Sequence, residues 1–454
     1  MSTQRMAQGL RLRTRPEHPD FLDLPWSQPL DEWEGGRLVE VARGVHRHVV
    51  VFVDYDGALY ALKELPSHLA QREFGLLRRL QMERIPVVEA VGVVERRGLD
   101  DVLITRFLDY SLPYRTVLLH QRRRGELDDR GLTERLLDAL AMLLARLHLI
   151  GFAWGDCSLS NVLFRRDAGA LTAYVVDVET GEWHEELTDG QRENDLAITE
   201  ENVAGGLLDL QAELGLDTGP DPVELASEIR RRYGRIWSEL TDVEEIGADE
   251  RYKINRRVRR LNELGFDVDE IEFVGQGEDG RLRMRAVVAE PGHHARRLHS
   301  LTGLQAQENQ ARSLLNDLFN FKASRERRTG SSMPDQVAAH LWLSQVFEPV
   351  VEAIPPEHAD KLEPVEVFHE IIEHKWFLSE RVGRDVGVHE ATADYFARVL
   401  VQAPSERRVL LADVGRDDDA ADDAGDDAGD AAGGVPEAPD ATAGAAEAPD
   451  PARA

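Results

Sequence analysis

The chain has 454 residues, 42% hydrophobic and 30% charged, enough for two or three domains with sizeable cores. No stretch approaches the roughly 18 apolar residues of a membrane span, and the basic start "MSTQRMAQGL" has no apolar run behind it, so neither a span nor a secretory leader is expected. The formal charge of −30 argues against a general nucleic-acid binder, and the single cysteine, Cys157, excludes internal disulfides and cysteine-rich zinc sites; a cytoplasmic protein is the simplest reading.

Residues 1–36 read as an N-terminal extension. Over 37–64, "RLVEVARGVHRHVVVFVDYDGALYALKE" alternates and is rich in β-branched residues, with a turn at "DYDG". Two or three antiparallel strands are expected, with Lys63 at the end of the last. Pro66-Ser67 opens a predicted helix running to Met82, with Ser67 as its N-cap. Strands at 87–95 and 102–107 complete a five-stranded α+β lobe over 37–110.

Residues 111–240 read as a helical second lobe. "LTERLLDALAMLLARLHLI" (132–150) is a long apolar helix. The loop "GFAWGDCSLSN", the strand "VLF" and the strand "LTAYVV" follow, then helices at about 192–215 and 221–240. Residues 241–403 carry a basic helix, a hairpin around "GQGEDG" and four helical patterns near 304–328, 334–353, 364–380 and 388–402. They form either a separate α-rich domain or an extension of the second lobe. Residues 404–454 read as a disordered acidic tail: between Asp413 and Ala454 there are 13 acidic and two basic residues, with too little apolar surface to fold.

Two rare residue types fall at suggestive places. Lysine occurs only five times, and Lys63 is the only one in the first 252 residues; Asn161 is the first asparagine of the chain. A strand-borne lysine (Lys63), a glutamate on the next helix (Glu73), Asp156 five residues before Asn161, and Asp177 at a strand end follow one another in the order of a phosphoryl-transfer site. ATP phosphates need a positive contact, for which Lys63 is expected, and a carboxylate, Glu73, to hold that lysine. Mg²⁺ needs hard oxygen donors, which Asn161 and Asp177 offer. An acceptor hydroxyl needs a carboxylate in reach, the expected catalytic part of Asp156.

"LHLIGFAWGDCSLSNVLF" and "YVVDVETG" resemble the catalytic and metal loops of the protein-kinase-like superfamily. They are most similar to the lipopolysaccharide (Kdo/WaaP-type) kinases, which write "LHxxGxxHGDxxxxN". "REFGLLRRLQMERIPVVEAVGVV" is similar to the helix-and-strand segment of that group. The resemblance covers roughly 37–215, and the region from about 220 to 403 looks like a bacterial domain of unknown function that accompanies this lobe. It implies a two-lobed kinase-like fold using ATP and Mg²⁺ to phosphorylate a hydroxyl of an unidentified small molecule, glycan or protein.

The departures from the pattern are specific. Trp154 stands where the family writes His, the phosphate loop "ARGVHRH" keeps one glycine, Gly44, and "DVETG" replaces the usual metal motif, with Glu179 as a further metal oxygen. His148 and Asp195 are expected to brace the catalytic loop. Only 18 residues separate Asp177 from Asp195, too few for a long phosphorylatable loop. The alternative reading is a pseudokinase, acting as a nucleotide-binding or structural interaction module.

Two other motifs carry less. "HEIIEH" (369–374) lacks the i, i+4 histidine pair of a zinc helix, because His374 lies at i+5, about 100° further round. "RYKINRRVRR" (251–260) is expected to be a helix laced by pairs such as Asp249–Lys253.

Overall fold

A computed structural model describes residues 5–7, 10–41, 48–114, 130–214, 221–242, 244–246, 251–263, 266–276 and 282–407. Gly44, Asp249 and the acidic residues from 408 onward lie outside them.

The first lobe is an antiparallel sheet with one helix. Its strands are β1 (Arg5–Ala7), β2 (Leu10–Thr14), β3 (Leu38–Val39), β4 (Val50–Tyr55), β5 (Ala58–Leu65), β6 (Glu89–Arg96) and β7 (Asp101–Arg106), in the order β1-β2-β6-β7-β5-β4-β3. β4 and β5 form the expected hairpin, and Asp56 and Gly57 take positive φ at its turn, as a two-residue hairpin loop requires.

The N-terminal extension is part of this lobe rather than an appendage. β2 pairs with β6, making seven strands where five were expected. Phe21, Trp26, Leu30 and Trp33 pack with Val53, Tyr60, Leu62 and Ile104 in one core, so this segment covers a sheet face that would otherwise be wet. Helix α1 (Ser67–Met82) follows β5, burying Ala70, Glu73, Leu77 and Leu80. Ser67 is its first residue and makes no capping bond; Pro66 occupies the cap position, so the expected Ser67 cap is corrected. Proline at this point presets the chain's entry and has no N–H to satisfy.

In the second lobe, β8 (Ser111–Pro113) enters from the first lobe, and α2 (Arg130–Leu149) supplies the central buried helix. β9 (Phe152–Ala153), β10 (Val162–Asp167), β11 (Ala170–Val175) and β12 (Glu182–Trp183) carry the loops between them. α3 (Asp189–Leu214) and α4 (Pro222–Thr241) pack on each other, and α4 packs on α2. Main-chain bonds join the lobes at Val175, whose N–H donates to Pro86 O at 2.9 Å and whose carbonyl accepts from Val88 N–H at 3.0 Å.

The C-terminal region begins with β13 (Glu244–Ile246), α5 (Arg251–Glu263) and the hairpin β14 (Phe266–Gln276) and β15 (Leu282–Pro291). The helices α6 (His293–Thr302), α7 (Glu308–Thr329), α8 (Asp335–Trp342), α9 (Glu348–Glu352), α10 (Pro364–Val382) and α11 (Gly387–Arg398) complete it. α6 was not expected. Where one helix was expected over 334–353, residues Leu343–Phe347 form a π-turn between α8 and α9. Pro349 accounts for it, since a proline ring cannot tolerate the i−4 carbonyl of a regular α-turn. Trp342, Phe347, Phe368 and Tyr395 anchor the core of these helices.

This region packs on the β10–β11 hairpin as an extension of the second lobe. Asp167 accepts from Gln310 N at 2.8 Å and Asn309 Nδ2 at 3.0 Å, capping α7 from another element. Arg165 pairs with Glu363 at 2.8 Å, and Tyr174 donates to Gln307 Oε1 at 2.8 Å. The expected tail boundary at 404 also moves: Glu406 is buried and pairs with Arg166, so Pro404–Arg407 belong to the folded body. A buried carboxylate matched to a guanidinium fork resists release into water.

Candidate active site

Lys63 projects from β5 and Glu73 from the buried side of α1. Lys63 Nζ donates to Glu73 Oε2 at 3.0 Å and to Asp177 Oδ2 at 2.5 Å, with Glu179 Oε2 3.9 Å away. Strand, helix and metal loop therefore meet on one ammonium. Burial alone would lower the Lys63 pKa, but Glu73 and Asp177 outweigh it and raise it. Burial first, then Asp177, push Glu73 up to about 7: three carboxylates face one ammonium, and the most buried is the costliest to ionise.

Oxygens of Glu73, Asp177 and Glu179 all lie within 4.8 Å of one another, which makes them the metal-capable cluster among the described residues. The donor set fits Mg²⁺, which takes hard carboxylate oxygens, and its excess negative charge favours a cation. Asn161 lies five residues after Asp156, on the catalytic-loop segment. Its Nδ2 donates to the Asp156 carbonyl at 2.9 Å and lies 3.3 Å from Asp156 Oδ2.

Helix α1 is oriented from the second lobe. Arg72 donates to the carbonyls of Glu179 and Gly181, and the Arg79 guanidinium lies 3.7 Å over the Trp183 ring, a cation–π contact. His48 Nε2 is 3.1 Å from Glu179 Oε2. These residues carry no motif; Arg72 is marked only by adjoining Glu73.

The catalytic-loop segment hangs on Asp195. Its carboxylate accepts from Trp154 N at 2.8 Å and Gly155 N at 2.7 Å, and His148 Nε2 is 3.0 Å away. Burial opposes the charge, but those three partners hold the Asp195 pKa below the usual carboxylate value. His148 Nδ1 lies 2.8 Å from the Tyr233 hydroxyl, so a buried imidazole sits between helices α3 and α4. Trp154 is fully buried. Its indole donates to the Asp177 carbonyl at 2.7 Å, and Thr180 Oγ1 donates to the Trp154 carbonyl at 3.0 Å. The two loops are thus bonded in both directions.

Close approach fixes two glycines here. A Cβ on Gly151, whose φ is +78°, would lie 2.3 Å from the His184 carbonyl oxygen, and one on Gly181 would lie 2.2 Å from the Phe152 ring. Asp156 has a further partner: Asn202 Nδ2, from α3, donates to Oδ1 at 3.1 Å. Two carboxamides therefore fix the carboxylate, one on each oxygen. Cys157 is buried, and burial pushes its thiol pKa up, the opposite of an activated thiol.

The two lesser motifs resolve into packing. His369 Nδ1 lies 2.8 Å from Ser313 Oγ and His374 Nε2 2.8 Å from Asp394 Oδ2, so the histidines serve different partners. In α5, Arg257 donates to the carbonyls of Glu239 and Asp242, and Arg260 pairs with Glu239. The side chains of the expected Asp249–Lys253 pair lie outside the described residues.

Residues 57–203 match the model of the Lipopolysaccharide kinase (Kdo/WaaP) family, and residues 235–400 match a domain of unknown function, DUF4032. Among solved structures, the chain is similar to WaaP in complex with acyl carrier protein, at 20% identity and a TM-score of 0.32, over 50% of this chain and 88% of that one. It is also similar to the BubR1 kinase domain, at 11% identity and a TM-score of 0.30, over 58% of this chain and 87% of that one. No curated protein sequence matches. Residues 57–203 thus resemble the Kdo/WaaP kinase family, and the match to the domain of unknown function follows them along the chain.

Proposed function

We propose that this kinase-like phosphotransferase binds ATP with Mg²⁺ and moves the γ-phosphate to a hydroxyl of an acceptor, in a cytoplasmic setting where ATP is available. The observation that carries the reading is Lys63 held between Glu73 and Asp177. Lys63 would contact the ATP phosphates while Glu73 keeps its ammonium in place. Asp177 and Glu179, with Asn161 from the facing loop, would hold Mg²⁺, which supplies charge neutralisation for the phosphates. Asp156 would take the acceptor hydroxyl's proton, its orientation set by Asn161 and Asn202.

A second reading, a pseudokinase that binds nucleotide or serves as a structural module, is favoured by one observation. Trp154 stands where the kinase families that this segment resembles write a histidine before the catalytic aspartate. Incubation with γ-labelled ATP and Mg²⁺, followed by an untargeted search for labelled products, separates the two. Transfer by the wild type that Asp156→Asn abolishes is expected. Nucleotide binding without transfer to any acceptor would favour the second reading.

A further inference from the structure

The polypeptide passes from the first lobe to the second through residues 107–110, between β7 and β8. Phe107 still belongs to the first lobe, its N–H donating to Leu59 O at 2.9 Å. Tyr110 is different. Its φ is +59°, a left-handed conformation that a bulky residue adopts at a cost and keeps only where its surroundings dictate it. Those surroundings come from the far end of the fold: Tyr110 N–H donates to the Arg407 carbonyl at 3.1 Å, and its hydroxyl to the Ala359 carbonyl at 3.3 Å.

The segment that supplies this acceptor is itself fastened. Arg407 N–H donates to Asp360 O at 2.9 Å, Glu406 N–H to Lys361 O at 2.9 Å, and Ser405 Oγ to Asp360 Oδ2 at 2.6 Å. The strongest anchor is Glu406, 2% exposed, which Arg166 grips with Nε at 2.8 Å and Nη2 at 2.7 Å. Arg166 lies on β10, and β10 pairs with β8, the strand that the connector enters. The connector, the hairpin and the 405–407 segment therefore close a ring of contacts around Tyr110.

We infer that residues 405–407 are a strap by which the C-terminal region fixes the interlobe connector at Tyr110 and so sets how readily the two lobes part. Lys63 and Glu73 belong to one lobe and Asp177 to the other, so a freer connector loosens the site they build together. The consequence for nucleotide rests on the function proposed above; the mechanical part does not. Linkage is reciprocal: whatever shifts the strap alters nucleotide affinity, and nucleotide alters the strap.

The test is amide hydrogen exchange on the full-length chain, comparing wild type with Glu406→Ala and with the milder Glu406→Gln. The Tyr110 amide is expected to exchange at least about tenfold faster in Glu406→Ala, with a smaller rise in Glu406→Gln, while Phe107 and helix α2 keep their protection. Kd for ATP–Mg²⁺ is expected to rise about threefold or more as the ordering cost of closure returns to the binding step. Unchanged exchange at Tyr110 in folded Glu406→Ala or Glu406→Gln would overturn the strap. Faster exchange at Tyr110 with wild-type nucleotide affinity would overturn the coupling. Absence of nucleotide binding in wild type would instead count against the proposed function and leave the exchange result to decide the strap.

Discussion

Trp154, fully buried, and Asp177, partly buried, are joined by a hydrogen bond from the indole Nε1 to the aspartate carbonyl, 2.7 Å long. The residue that departs from the family's histidine is thus what holds the main chain of the candidate metal ligand. The Trp154 departure therefore has a structural partner.

Trp154→Phe keeps most of the ring and removes the donor. The Asp177 carbonyl then loses that partner, so unfolding free energy should fall by about 1–3 kcal/mol in urea titration, with a weaker Mg²⁺-dependent response to ATP. Wild-type stability in this variant would mean that the bond contributes nothing.

Asp156 and its two amide partners separate transfer from binding. Asp156→Asn should lower phosphate transfer by about 10²–10⁴-fold while leaving ATP affinity near wild type. Asn202→Ala, which removes one hydrogen-bond donor from the carboxylate, should lower the turnover rate with little change in KM for ATP. A variant that lost ATP affinity and rate together would place Asp156 on the nucleotide side.

Glu366 gives a pH dependence. It is buried against Gln310 Nε2 at 2.8 Å and Ala168 N at 3.0 Å, and burial raises its pKa from 4.5 to about 7. The native state therefore holds this proton more tightly than the unfolded chain. The stabilisation is full below about pH 4.5 and is lost as pH rises to about 7, by up to about 3 kcal/mol. Glu73 shifts in the same direction, so the wild type minus Glu366→Gln difference isolates the effect. Denaturation between pH 5 and 8 should show that difference shrinking or reversing with rising pH; a difference independent of pH contradicts it.

Chain order and residue type were enough to single out Lys63, Glu73 and Asp177, because strand, helix and loop periodicities place them locally, while Glu179 came from the family resemblance of "DVETG". The partners of Asp156 and His148 on the later helices were not legible. Asn202 and Tyr233 lie one to several helical turns beyond any motif, and a side chain aimed across the fold leaves no spacing signature. β1 and β2 were missed because β6, the strand on which β2 pairs, is about eighty residues away and their arginines mask the alternation. Glu406 stood at the edge of a polar stretch, and only Arg166, 240 residues earlier, makes it part of the body.

The central claim is that Lys63 and Asp177 together hold ATP and its metal ion. The most direct measurement is the melting temperature of the wild type, Lys63→Met and Asp177→Asn with millimolar ATP, with and without Mg²⁺. A ligand of the native state stabilises it by about 2.7 kcal/mol at a hundred times Kd. The wild type should therefore rise by several degrees with ATP and Mg²⁺ together, and each variant should lose most of that rise. No shift in the wild type at millimolar ATP with Mg²⁺ would contradict the claim.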